Sequence, residues 1–242
     1  MQRYQKTVIR QSPSPNNMSL LESLFPSLSE AEDDEVLPYW PEPAAPWSIL
    51  GADSEYGIMP QIERQVGIFG KGIAPPPDAR VDTSSGRVFI HPNAQVGQFV
   101  RIEGPCFIGA GAEVRHAAYL RKGSWICEGA VVGHATEVKN SVLLPGAKAP
   151  HFNYVGDSIL GVNVNLGAGT KLSNVRNDRR SIRIRLEDGS YVDTGLRKMG
   201  ALVGDGCEVG CNVVTNPGAI LLPGTMVNPN NTVTGWIGPT RS

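Results

Sequence analysis

The sequence predicts an all-β protein, a single-stranded parallel β-helix of hexapeptide repeats, and three observations carry that prediction. Aliphatic residues recur at every sixth position, small residues recur two places before them, and glycine and proline punctuate the chain throughout. Stepping by six from Ile90 meets Val96, Ile102, Ile108, Val114, Leu120, Ile126, Val132, Val138 and Leu144. In a chain with 40% hydrophobic residues, such a run arises by chance about once in ten thousand trials per phase. The period returns at Leu160, Leu166 and Leu172, and again from Val203 through Val209, Thr215, Leu221 and Val227 to Val233.

The residue two places earlier is mostly small, as at Ala94, Cys106, Ala112, Ala118 and Ala130, and glycine follows directly at Gly97, Gly109 and Gly133. A six-residue unit is one short strand and a turn, and it cannot bury its own apolar side chain. Three units wound into a triangular coil solve this, with aliphatic residues inward and coils stacked about 4.8 Å apart. Stability then accumulates coil by coil. The 28 glycines and 19 prolines suit short strands and tight turns better than helices. Only Ser19 to Glu35 reads as a short helix.

Around the repeat, residues 1–46 hold seven prolines and the acidic run Glu30 to Glu35, so they read as a flexible or loosely docked arm. Residues 47–86 read as a connector with a stiff Ala74-Pro-Pro-Pro-Asp78 spacer, and residues 87–238 as the coil. The period slips between Leu144 and Leu160, which predicts a loop ejected over Pro145 to Tyr154. A second interruption, 173–200, carries alternating residues on either side of Glu187-Asp-Gly189 and predicts a β-hairpin insertion.

A net charge of −1 leaves no electrostatic footprint for nucleic acid or an acidic membrane surface. No apolar stretch approaches the roughly 20 residues needed to span a bilayer. Four cysteines without paired CxxC spacing argue against a disulfide framework, and with no secretory apolar core at the start they point to a cytoplasmic protein with reduced thiols.

Residues 18 apart stack on one side of such a coil. Arg121 and Lys139 are so related, and two cations about 5 Å apart repel unless an anion joins them, which suggests a phosphate site. His116 and His134 are also 18 apart and resemble the zinc histidines of β-helical carbonic anhydrases. The positions where that family has a further histidine are Arg121 and Lys139, and cations disfavour Zn²⁺, so no metal is expected. His151, beside the polar and aromatic Phe152-Asn153-Tyr154, suits a general base.

The stretch from Glu137 through Gly146-Ala-Lys-Ala-Pro-His-Phe-Asn-Tyr-Val-Gly-Asp-Ser-Ile159 to Gly161-Val-Asn-Val-Asn-Leu-Gly-Ala-Gly-Thr170 resembles a known family. It is similar to the acetyltransferase domain of the bifunctional glucosamine-1-phosphate acetyltransferase/N-acetylglucosamine-1-phosphate uridylyltransferases. The archaeal-type sugar-1-phosphate nucleotidylyltransferase branch looks nearest, through Asn174-Val-Arg-Asn-Asp178 and Val192-Asp-Thr-Gly-Leu-Arg-Lys-Met-Gly-Ala201. The resemblance covers roughly residues 85–237.

It implies a left-handed coil, acetyl-CoA as co-substrate, glucosamine 1-phosphate as the favoured acceptor and a homotrimer with active sites between subunits. His151 matches the base, Arg121 and Lys139 the grip on the 1-phosphate, and Tyr154 and Asn165 the sugar contacts. Asn174 matches a residue near the acetyl group, and the backbone around Ala168 a polariser of its carbonyl. Arg180 and Lys198 match phosphate or CoA contacts, on a neighbour's site. Val175 departs from the bacterial branch, where a tyrosine stands. The family's nucleotidyltransferase half has no counterpart, since Gly67-Ile-Phe-Gly-Lys-Gly72 does not match its nucleotide loop. The chain is therefore expected not to make nucleotide sugars by itself. The alternatives are a non-catalytic subunit that partners a separate nucleotidyltransferase through the acidic arm, and an acyltransferase for another acceptor such as a nucleotide-linked amino sugar.

Overall fold

The computed structural model describes residues 19–30, 36–41, 43, 45–186 and 189–239. Three parallel sheets form the sides of a triangular coil. The first side has eight strands, from Arg80–Asp82 to Thr232–Val233. The second also has eight, from Val88–Ile90 to Trp236–Ile237, and the third has seven, from Gln95–Val96 to Met226–Val227. This is the left-handed parallel β-helix architecture that was expected. The coil opens at Arg80, ahead of residue 87.

The inward positions are those of the repeat. Ile102, Leu120, Val138 and Leu172 stack from the first side, Ile108, Ile126, Leu160 and Val203 from the second, and Val114, Val132 and Leu166 from the third. Small residues such as Ala112, Ala118 and Ala130 fill the space near the corners. Most corners turn through residues with positive φ. Between the third and first sides these are Phe99, Ala117, Ala135, Phe152, Gly169, Asn212 and Asn230, at φ between 51° and 75°. Coils approach closely as well, and a Cβ on Gly133 would overlap the carbonyl of Pro150 in the next coil.

Two expectations are corrected. Residues 145–154 do not leave the coil: Lys148–His151 is a strand of the third side, paired with Val131–His134. The period slips instead at two corners between the first and second sides, each one residue short. Val138 is followed inward by Leu143 rather than Leu144, and Val155 by Leu160. The shortened corners turn on Asn140 and Asp157, at φ 45° and 48°; Asn and Asp tolerate this region better than most side chains. Leu144 consequently faces outward.

It faces outward into a second apolar layer. The outer surface of the second side is itself apolar, with Phe89, Phe107 and Trp125 in contact from coil to coil at centroid distances of 4.9 and 5.2 Å. Over this surface lie Trp47, Ile49 and Leu50, the helix Ile58–Phe69 and the segment carrying Leu24 and Phe25. The helix was not expected, yet Ile58, Ile62 and Val66 recur at helical spacing and are its buried face. The Ser19 to Glu35 region yields only Leu20–Leu24, with a reciprocal Ser19–Glu22 capping box, and a 3₁₀ turn over Pro26–Glu30; residues 31–35 lie outside the described set.

The described part of the arm is docked. Asp205 accepts the backbone N–H of Ser27 at 2.9 Å and donates its own to the Leu24 carbonyl. The insertion does form a hairpin, Arg183–Arg185 against Tyr191–Asp193, and Ile182 and Ile184 join the outer layer. Among the described residues no helix is long and apolar enough to cross a membrane.

Inward hydroxyls are mostly satisfied by the stacked backbone, as where Ser124 donates to the Arg121 carbonyl at 2.6 Å and Thr136 to Ala149 at 3.1 Å. Thr215 is the exception: it occupies an aliphatic position of the repeat, fully buried, and its hydroxyl has no partner. Thr215→Val keeps the shape and removes an unsatisfied polar group, so it should raise stability by about 1–2 kcal/mol. Paired urea denaturation curves with unchanged slope will measure this.

Candidate active site

His151 lies at the end of its third-side strand, directly beside His134 of the preceding coil. His116, His134 and His151 therefore form one column along the edge between the third and first sides. The rings of His116 and His134 stack at 5.2 Å and 17°, and His134 Nδ1 lies 2.9 Å from the His116 carbonyl. Above His134 the ring in contact is that of Phe152, edge-on at 5.2 Å. His151 is exposed.

Its backbone is clamped. The His151 N–H donates to Asn153 Oδ1 at 3.0 Å, and its carbonyl accepts the Gly169 N–H at 3.0 Å. Asn153 is buried, donating its amide to the Gly167 carbonyl at 2.8 Å and its backbone N–H to Thr136 Oγ1 at 3.2 Å. The next residue in the column is Ala168, three beyond the Lys148–Asn165 pair. The Gly167 and Gly169 N–H groups are committed to the carbonyls of Val209 and His151, and of the three only the Ala168 N–H has no backbone acceptor among the described residues. Asn165, on the third side, donates to Glu208 Oε2 at 3.0 Å.

Round the corner, the first side carries the remaining polar candidates. Arg121 and Lys139 stack in register, as predicted. The repulsion that argued for a bound anion is relieved within the chain, however. Arg121 meets Glu137 at 2.9 Å, and Lys139 Nζ reaches both oxygens of Asp157 at 3.1 and 3.0 Å. That second pair is nearly enclosed, with side-chain exposures of 14% and 5%. Glu137 holds the Arg121 guanidinium above its already high range. Tyr154 is half-buried, its hydroxyl accepts from Asn174 Nδ2 at 3.2 Å, and burial raises its pKa.

The structure thus brings His151, Ala168 and Asn165 together around one edge, and Arg121, Lys139, Tyr154 and Asn174 along the first side. Arg180 and Lys198 are exposed on the insertion and join neither group; the Arg180 N–H is bound to Asp178 Oδ1 at 3.1 Å. The sequence reading missed Glu137 and Asp157. Asp157 was within reach of it, standing 18 residues after Lys139. Among the described residues no group of three or more His, Cys, Asp or Glu side chains is placed to hold a metal ion. Cys106, Cys127 and Cys207 are buried and Cys211 is exposed, with burial pushing the Cys207 thiol up to about 11.

A model of the GMPPB C-terminal domain matches residues 102–234, more than half of the chain. The chain belongs to that family. Over 149 residues it is 34% identical to a bifunctional sugar-1-phosphate nucleotidylyltransferase/acetyltransferase of Sulfurisphaera tokodaii, covering 59% of this chain and 37% of that protein. The bifunctional protein GlmU of Methanococcus vannielii is 32% identical over 82% of this chain and 44% of its own length. YaiX of Escherichia coli, named an uncharacterized acetyltransferase, is 29% identical over 88% of this chain and 90% of its own. The chain thus spans less than half of the two bifunctional relatives and nearly all of the third.

Two measurements test the geometry. Asn153→Ala leaves the His151 N–H without its acceptor, while the Gly167 carbonyl keeps only the Thr170 N–H; it should cost about 1–3 kcal/mol, and amide hydrogen exchange at His151 should quicken. On the first side, the Tyr119 hydroxyl, followed by Arg101, holds Glu103 below the usual carboxylate range. Glu103 therefore binds its proton less readily folded than unfolded. Its stabilisation is present above the ordinary carboxylate pKa and is lost as pH falls through the lowered one. The difference in urea midpoint between wild type and Glu103→Gln should shrink from about pH 6 to about pH 3.

Proposed function

We propose that the chain is an acetyl-CoA-dependent N-acetyltransferase acting on an amino-sugar 1-phosphate, with glucosamine 1-phosphate favoured and His151 as general base. The observation that carries this reading is the clamped, outward-facing His151 with the N–H of Ala168 one coil away. The named activities of the relatives point the same way.

In this reading the imidazole takes a proton from the neutral 2-amine of the sugar as the amine nitrogen bonds to the thioester carbonyl. The oxyanion of the tetrahedral adduct is met by the Ala168 N–H. The C–S bond then breaks, and the departing sulfur takes the proton back from the imidazolium. Asn165 and Tyr154 contact the sugar, and Arg121, more open than Lys139, carries the larger part of the phosphate attraction. A homotrimer brings Arg180 and Lys198 of a neighbouring copy to the CoA phosphates.

A second reading is favoured by the neutralisation of Arg121 and Lys139 within the chain. A coil whose cations are already paired serves as a non-catalytic subunit for a separate nucleotidyltransferase. Thiol release from acetyl-CoA separates the two, with glucosamine 1-phosphate, galactosamine 1-phosphate and free glucosamine as acceptors. The enzyme reading expects turnover that needs the 1-phosphate and falls at least 100-fold in His151→Ala. No turnover from a folded protein with any of the three acceptors would transfer the weight to the subunit reading.

A further inference from the structure

We infer that Asp157 is a positioning residue of the acceptor subsite, which sets the Tyr154 hydroxyl as a hydrogen-bond donor towards the bound sugar phosphate; this rests on the function proposed above. A carboxylate only accepts hydrogen bonds, so the group facing Asp157 Oδ2 from Asn174 must be the amide nitrogen, which is the contact observed. The same Nδ2 donates to Tyr154 Oη at 3.2 Å. Both amide protons of Asn174 are thereby used, and the phenol oxygen is occupied as an acceptor. The one proton of Tyr154 is left to point outward, to an oxygen that accepts, such as a sugar hydroxyl or a phosphate oxygen.

Three further features hold the arrangement. Asp157 is only 3% exposed, and it also receives Lys139 Nζ and the Asn140 amide, the latter at 2.9 Å. Asn140 in turn donates to the Leu50 carbonyl of the connector at 3.0 Å, and the Asp157 carbonyl accepts the Gly200 N–H at the end of the insertion. Gly156 leaves the notch in which the pair meets: a Cβ there would lie 2.6 Å from Tyr154 Oη and 2.8 Å from Asn174 Nδ2. In the two preceding coils that register holds Lys139 and Arg121, so glycine stands where the column would otherwise place a long side chain.

Asp157→Asn tests the polarity. An amide at 157 donates to Asn174 and turns it over, so that Asn174 Oδ1 captures the Tyr154 proton and the outward donor is lost. The variant should raise the acceptor KM about tenfold, as should Tyr154→Phe, with kcat and the acetyl-CoA KM within about twofold of wild type. In a Tyr154→Phe background Asp157→Asn should add nothing. Should loss of one charge from the enclosed Lys139–Asp157 pair impair folding, the Lys139→Met/Asp157→Asn protein removes both charges, and its acceptor KM is compared with that of Lys139→Met. Additive effects of the Asp157 and Tyr154 changes, or equal loss for both substrates, would reduce Asp157 to a structural role. An acceptor KM unchanged in Asp157→Asn would overturn the inference with the acetyltransferase intact. A wild type that binds and acetylates no amino sugar would instead overturn the function reading, and the positioning role with it.

Discussion

Each coil has room for one aliphatic side chain and one small residue per side, because the three sides close around a narrow interior and the next coil lies one strand spacing away. Much else in the chain follows from that confinement. A Cβ at Gly133 would strike the neighbouring backbone, and most corners turn on a residue of positive φ. Hydroxyls are admitted only where a stacked carbonyl can take their proton, as at Ser124 and Thr136. Thr215 breaks that rule at a position where its neighbours in the column, Leu172 and Val233, are aliphatic.

The inner column joins only adjacent coils, as in other solenoids. The second side adds a long-range layer. Phe107, Trp125, Ile159 and Leu202 face outward from four coils and are covered by segments from much earlier in the sequence, between Leu24 and Val66. The Trp125 indole reaching the Val36 carbonyl and Asp205 holding Ser27 are polar ties in the same contact. Residues that read as an arm and a connector are thus a shell, and the insertion extends it through Ile182 and Ile184.

The coil was legible because its signal is a count. Six residues per side leaves an aliphatic residue at every sixth position, whatever the local propensities. The count also misled where a corner lost one residue. His151 stands 17 places after His134, not 18, so the rule that aligned His116 with His134 left His151 outside their column and suggested an ejected loop. The helix Ile58–Phe69 was hidden by its setting, since Gly57, Pro60 and Gly67 surround or interrupt a buried face whose apolar residues are Ile58, Ile62 and Val66. Arg121 and Lys139 were correctly stacked, but spacing along one column says nothing of the adjacent column, and Glu137 belongs to that one.

The shortened corners also bear on chemistry. Removing one residue after Lys139 and again after Gly156 brings Asp157 into the turn, where its carboxylate meets Lys139, Asn140 and Asn174 at once. A six-residue corner, such as the one through Gly123 between Leu120 and Ile126, carries no such carboxylate. The same deletion moves His151 into line with the histidine column while Phe152, not His151, takes the contact over His134. The interruptions of the repeat are therefore not defects in the coil. They are the places where a uniform scaffold presents one exposed imidazole on an edge and, on the side next to it, a buried carboxylate that orders the polar groups around Tyr154.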